Sequence, residues 1–248
     1  MNRPTSVPGG APRFATTSWT LIVDAGGPRT EQSERALATL VERYWHPLYA
    51  YLRRRGHDAP NAQDLTQAFF ARFLEKTTVE DASQERGRFR TFLLTCLDHF
   101  VRNEWDKANA QKRGGGQLPV SIDLEAAEGR FAVEPAHERT PEREFERRWA
   151  LTVLDRALAR VEAGFDGEDR AEEFALMRPF LTGELPRGAS TAAAEKLGKS
   201  PGAFKVAVHR LRRRYGEAVR AEIADTVSSA EEVDDEVQHL LRALRDDD

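Results

Sequence analysis

The residues of this chain best suited to chemistry are cations gathered between Ser190 and Tyr215. Seven lysines and arginines accompany a single acid there, Glu195, so the stretch carries a net charge of +6. Clustered ammonium and guanidinium groups are typical of surfaces that bind phosphate oxygens. The whole chain nevertheless has a net charge of −4, partly because residues 231–248 hold eight acids against two arginines. The cations are Lys196, Lys199, Lys205, Arg210, Arg212, Arg213 and Arg214.

The other reactive side chains form no catalytic or metal-binding pattern. The six histidines show no metal-ligand spacing, and the single cysteine, Cys96, excludes an internal disulfide and a cysteine-based zinc site. Gly114-Gly115-Gly116 lacks the lysine, the serine or threonine and the helix that a phosphate-binding loop needs. We therefore expect no enzyme activity, no metal and no cofactor.

The basic stretch itself predicts a helix-turn-helix. Ser190 is expected to cap a short helix, Gly198 to form the turn, and Ser200 with Pro201 to start a second helix. The inward residues would be Ala193, Ala194 and Leu197 in the first helix, and Phe204, Val208, Leu211 and Tyr215 in the second. Such a second helix enters the major groove, with its early positions at base edges and its later arginines at phosphates. The predicted DNA-contacting residues are Ser200, Gly202, Lys205, Val206, His209, Arg210, Arg212 and Arg213. The alternative is an ordinary helical hairpin with a solvated basic face.

Apolar spacing elsewhere predicts an all-α protein. Apolar residues recur at helical intervals from Glu31 to Leu52, and Pro47 predicts a kink or break at Trp45-His46. Asp58 is expected to cap a second helix. A third, strongly apolar helix covers residues 89–105, and a fourth begins at Pro141.

Glycine and proline divide these helices into segments. We expect residues 1–30 to be disordered or briefly helical, 31–113 to form a three-helix domain and 114–139 to be a flexible linker. Residues 140–225 would form the helix-turn-helix domain, and 226–248 an acidic helical tail. No stretch resembles a signal peptide or a membrane span, so the sequence predicts a cytoplasmic protein, monomeric when free.

Two segments of the first half carry a resemblance to a known family. Asp64-Leu65-Thr66-Gln67-Ala68-Phe69-Phe70 resembles the Asp-Leu-x-Gln-Glu-x-Phe segment of extracytoplasmic-function sigma factors, which belong to the sigma-70 family. The match looks especially like planctomycete-type members. In that family the segment grips the β′ clamp helices of RNA polymerase, so the likeness makes Asp64 and Gln67 contacts to the core enzyme. It also implies a sigma-2-like first domain and a sigma-4-like second domain.

The third helix resembles the family's promoter-melting helix. The likeness makes Asn103, Asp106, Lys107, Lys112 and Arg113 candidates for contact with the minus-ten element, and Arg102 joins them as one of seven cations between Arg86 and Arg113. Exposed aromatic rings beside cations suit capture of unstacked bases. Taken singly, however, we interpret Phe92, Phe100 and Trp105 as core residues. Arg88 and Arg90 are interpreted as the solvated side of a helix.

The resemblance implies a sigma factor that binds core RNA polymerase and promoter DNA, with Ser200–Tyr215 reading the minus-thirty-five element. The β′ clamp helices and the β flap would be its polymerase contacts. A stand-alone helix-turn-helix regulator that binds operator DNA remains the alternative. The promoter sequence and the activating signal stay open, as does restraint by an anti-sigma protein, by phosphorylation or by the acidic tail. For the tail, the plain interpretation is a helix that packs on the second domain, and the sharper hypothesis is that it covers the basic reading helix when polymerase is absent.

Overall fold

The computed structural model of the chain describes residues 30–76, 88–108, 139–181, 186, 188–227 and 231–245. In these ranges the backbone forms helices and turns without a strand, which confirms the all-α prediction. The predicted segment 1–29, and the linker except Arg139, lie outside the described residues. The helices are α1 Glu31–Arg54, α2 Ala59–Lys76, α3 Phe89–Ala108, α4 Pro141–Glu162, α5 Glu168–Met177, α6 Ala189–Lys196, α7 Pro201–Ala224 and α8 Glu232–Leu244, with a 3-10 turn at Arg178–Phe180.

Helix ends follow local sequence. The Asp58 carboxylate accepts a hydrogen bond of 2.9 Å from the Asn61 backbone N–H and caps α2, as predicted. The Thr140 hydroxyl accepts a bond of 3.3 Å from the Arg143 N–H, and Pro141 occupies the first turn of α4. Gly56 follows α1 with φ +92°, a conformation that glycine adopts without steric cost.

Helix α1 passes through Pro47 without interruption, so of the two predicted outcomes at Trp45-His46 the break is wrong, and the kink stays a prediction. Proline removes one backbone donor, but most helix stability in proteins comes from packing of the apolar face. Here Trp45, two residues before Pro47, and Leu48, directly after it, are buried, at 1% and 0% exposure. Packing on both sides of the proline holds the helix together.

In the first half of the chain, α2 packs against both α1 and α3, and α1 and α3 also contact each other. Aromatic rings fill the interface, with Tyr44 and Phe89 at 5.1 Å between centroids and Phe69 and Phe100 at 5.7 Å. Edge-on contacts of this kind add to the free energy gained from burial. Phe100 is a core residue, as predicted.

Helix α4 is the centre of the molecule, because it packs against α1, α7 and α8. Buried side chains from both halves form one cluster around it. Ion pairs cross the same boundary: Arg43 of α1 lies 2.6 Å from Asp225 and 3.7 Å from Glu222. The two predicted domains are therefore in direct contact, and their separation by a flexible linker stays a prediction.

The acidic tail forms α8, which packs against α4 and α7. Its Glu236 is 1% exposed and forms ion pairs with Arg88, at 3.2 Å, and with Arg90 at the start of α3. Arg90 is 3% exposed, so the prediction that it is a solvated cation is wrong. Its guanidinium also lies 2.7 Å from Glu146 and 4.4 Å from the Trp149 ring centroid. We call Arg88, Arg90, Glu146, Trp149, Glu236 and His239 the Arg90 cluster.

The position of α8 corrects the prediction that the tail covers the reading helix. Where the tail is described, its acids pair with Arg88, Arg90 and Arg220, and Arg220 belongs to the last turns of α7. The apolar stripe determines this placement, since Leu240 is 2% exposed in the shared core. A charge sum over the sequence could not distinguish one basic surface from another.

Candidate nucleic-acid interface

Helices α6 and α7 occupy the two helical segments of the predicted helix-turn-helix. Gly198 has φ +60° in the turn between them, and a side chain there would be strained. The Ser200 hydroxyl accepts a bond of 3.2 Å from the Ala203 N–H and caps α7. Small residues of α6 permit the close crossing, with Ala194 at 0% exposure. The predicted cap of α6 is wrong: Gly188 takes that position in a left-handed conformation, and Ser190 lies inside the first turn.

The inward face of α7 is the one that its spacing predicts. Phe204, Val208 and Leu211 are buried, and Phe204 meets the Phe180 ring at 5.1 Å. Tyr215 is half-buried, and its hydroxyl donates a 3.3 Å bond to the Leu154 carbonyl of α4. Burial, with the nearby Asp155 carboxylate, raises the pKa of Tyr215. This face anchors the helix and leaves the opposite one in solvent.

All eight predicted DNA-contacting positions of the second helix are exposed: Ser200, Gly202, Lys205, Val206, His209, Arg210, Arg212 and Arg213. Lys205 and Arg210 make no ion pair with any described residue, so their charges are available to a ligand. Arg213 lies 3.5 Å from Glu217, in a pair whose side chains are both about two-thirds exposed. Such a pair is weak in water and yields readily to a phosphate.

The side chain of Arg212 is held in one orientation, because its Nε donates a 2.9 Å hydrogen bond to the Phe180 carbonyl. The guanidinium keeps its other donors for a ligand. An arginine fixed at one atom loses less side-chain entropy on binding.

An open groove of about 530 Å³ lies between α5 and the first half of α7. Its lining includes Arg170, Arg210 and Arg214. The centroid of the Phe165 ring lies 5.2 Å from the Arg170 guanidinium and 5.1 Å from the Arg214 guanidinium. The carboxylate in this lining, Glu173, already pairs with Lys199. The groove is therefore net cationic and continues the basic surface of α7. Sequence reasoning missed Arg170, since nothing in the spacing of α5 indicates that it faces α7.

In the first half, Asp64 and Gln67 lie one turn apart on α2. Asp64 is exposed and Gln67 is half-buried. Residues three apart on a helix share a face, so the two side chains can meet one partner surface. Phe69 and Phe70, each 1% exposed, anchor this part of α2 in the core.

The last turns of α3 present a second candidate surface. Arg102 and Asn103 are exposed, and Trp105 is 69% exposed, so its interpretation as a core residue is wrong. The helix continues through Asp106 and Lys107, whose side chains are not described, while Lys112 and Arg113 lie outside the described residues. A large indole in water beside a cation is an unusual arrangement that suits stacking on an unpaired base.

Within the described ranges, no group of histidine, cysteine and acidic side chains could hold a metal ion. None of the helices described there has the length and apolar character needed to cross a bilayer. The clusters that the structure does assemble are aromatic, ionic or basic.

Comparison with known families gives one match, and it falls on the first half of the chain. Residues 40–111 match the model for Sigma-70 region 2, from the middle of α1 past the end of α3. The match includes Asp64, Gln67 and the exposed end of α3. It supports a sigma factor of the sigma-70 family, with a role in RNA polymerase binding and promoter melting. Curated proteins and solved structures gave no match to the chain.

Proposed function

We propose that this chain is an RNA polymerase sigma factor of the extracytoplasmic-function type, which binds the core enzyme and selects its promoters. The observation that carries the proposal is the combination in one chain of a region 2 match with a second helix whose eight predicted DNA-contacting residues are exposed. The polymerase supplies the chemistry, and this protein supplies only position and sequence preference. It acts in the cytoplasm and is monomeric until it meets polymerase.

The first half docks on the core enzyme and holds melted DNA. Asp64 and Gln67 contact the β′ clamp helices from one face of α2. The end of α3 captures unstacked bases of the minus-ten element, with Trp105 stacking on a base and Arg102 neutralising a phosphate. Stacking on one aromatic ring contributes about 1–3 kcal/mol per base, and the 69% exposure of Trp105 supports this role.

The second half reads duplex DNA upstream, at the minus-thirty-five element. Early residues of α7 meet base edges, while Lys205, Arg212 and Arg213 meet phosphates. Each phosphate neutralised steepens the salt dependence of binding. The same domain contacts the β flap. For the two halves to reach separate promoter elements, they must part at their shared contacts with α4.

The first test is capture of the full-length chain by purified core RNA polymerase. The Asp64→Ala/Gln67→Ala variant should lose most of its retention. The matched control is Asp235→Ala/Gln238→Ala, because these two exposed residues of α8 have the same types and the same spacing. The control should be retained like the wild type.

Two results would overturn the proposal. Failure of the wild-type chain to bind polymerase, while it still shifts duplex DNA, would assign it to the stand-alone regulators. Equal retention of both double variants would show that α2 is not the docking surface.

A further inference from the structure

One exposed residue of the reading helix has the wrong chemistry for binding phosphate. Among the described residues, the large exposed hydrophobic side chains are Trp105, Val206 and Leu241. Val206 is 51% exposed in the second turn of α7. It follows Lys205 in the sequence and lies one helical turn before Arg210. An exposed valine gives a helix no benefit, since it is a poorer helix former than alanine or lysine.

The surroundings of Val206 leave its methyl groups accessible from the side where DNA would approach. The residue one turn earlier is Gly202, and a side chain built there would meet no atom within 4 Å. The residue one turn later is Arg210, which is exposed and makes no ion pair with a described residue. Along this face the surface therefore runs from bare backbone to apolar methyls to a cation.

We propose that Val206 reads the C5-methyl group of a thymine in the major groove, an inference that rests on the proposed function. Valine has no donor or acceptor, so it cannot hydrogen-bond to any base edge. The thymine methyl is the apolar group that a normal base pair exposes in the major groove. Early residues of the second helix in this motif are the ones that reach base edges.

The side chain is also suited to this contact by its stiffness. In a helix, a β-branched residue is held in one χ1 rotamer, so its two methyl groups occupy fixed positions. Little freedom is lost when a thymine methyl packs against them. Burying one methyl group changes affinity by about fourfold.

The experiment uses holoenzyme, formed from core polymerase and the full-length chain, to select upstream duplexes from a random pool. Each thymine of the selected site is then replaced by deoxyuridine, which pairs identically but lacks the C5 methyl. We expect one replacement to weaken wild-type binding by about fourfold. The same replacement should leave the binding of Val206→Ala unchanged, while Val206→Thr, which keeps one methyl in the same shape, should retain part of the effect.

Lys205→Ala is the matched control, since Lys205 is the exposed neighbour of Val206. It should weaken thymine and deoxyuridine duplexes by the same factor and reduce the salt dependence of binding. A selected site without a methyl-sensitive thymine would overturn the inference, as would a Val206→Ala variant that discriminates like the wild type. Those results leave the proposed function intact, whereas holoenzyme that selects no duplex would remove both.

Discussion

Replacing Glu236 with glutamine should weaken the attachment of α8 to the rest of the protein. Glu236 and Arg90 are both almost fully buried, with 2% and 3% of their side chains exposed. The change keeps the size of the side chain but removes its charge. Arg90 then remains in the interior of the protein with one acidic partner fewer.

The magnitude follows from what Arg90 retains. Breaking a buried ion pair from one side costs about 3–5 kcal/mol when the remaining charge has no other partner. Arg90 keeps Glu146 at 2.7 Å and the face of Trp149 at 4.4 Å. We therefore expect the lower end of that range, about 3 kcal/mol. For a chain of this size such a loss lowers Tm by about 6–12 °C.

Thermal unfolding followed by circular dichroism measures this effect, and amide exchange locates it. Exchange should accelerate first in α8, because the end of a chain detaches before the core opens. Asp234→Asn is the control: its pair with Arg220 lies at 2.6 Å, but the side chains are 76% and 55% exposed. Exposed pairs contribute less than about 1 kcal/mol. If Glu236→Gln melts within a degree or two of Asp234→Asn, the Arg90 cluster does not hold α8 in place.

Three further predictions test the local structure. Gly198→Ala should destabilise the protein by about 1–2 kcal/mol, because Gly198 has a positive φ. Gly216→Ala should stabilise it by up to about 1 kcal/mol, because a side chain at this helical position meets no other atom. Urea denaturation of both variants separates backbone strain from helix propensity. Ser200→Ala should cost about 1 kcal/mol by removing the cap of α7, and Ser200→Asn should restore it. Burial alone would raise the pKa of Glu146, but the His239 hydrogen bond and the Arg90 charge lower it below its ordinary 4.5. Its contribution to stability is therefore present at neutral pH and lost as pH falls below about 4.5, so the gap in urea stability between wild type and Glu146→Gln should narrow as the pH is lowered below about 4.5.

The helices were predictable from sequence because their signals are local. The apolar positions Leu40, Tyr44 and Leu48 repeat at helical spacing, and all three are buried in α1. Caps such as Asp58 and Ser200 require only a few neighbouring residues. The break expected at Pro47 was wrong because the effect of a proline on a helix depends on packing, which the spacing of residues does not reveal.

The candidate site was predictable in part, and for the same reason. The outward face of α7 follows from helical geometry once its inward residues are known, so its eight positions were identified correctly as exposed. The burial of Arg90 was not predictable, because it depends on Glu236 and Glu146, which lie far from Arg90 in the sequence. Trp105 was interpreted as core because an apolar ring at a helical position usually is.

The central place of α4 limits how this protein can be recombined. Its neighbours α1, α7 and α8 come from the first half, the predicted helix-turn-helix domain and the tail, and Glu144 within it is 0% exposed, 3.8 Å from Arg54 of α1. A foreign first half grafted at residue 113 would place its own surface against α4 and remove Arg54 from that carboxylate, which would keep its pairs with Arg148 at 2.7 Å and Arg139 at 3.8 Å. Chimeras that exchange only the exposed residues of α7 should therefore fold, while those that exchange whole halves should need compensating changes along α4.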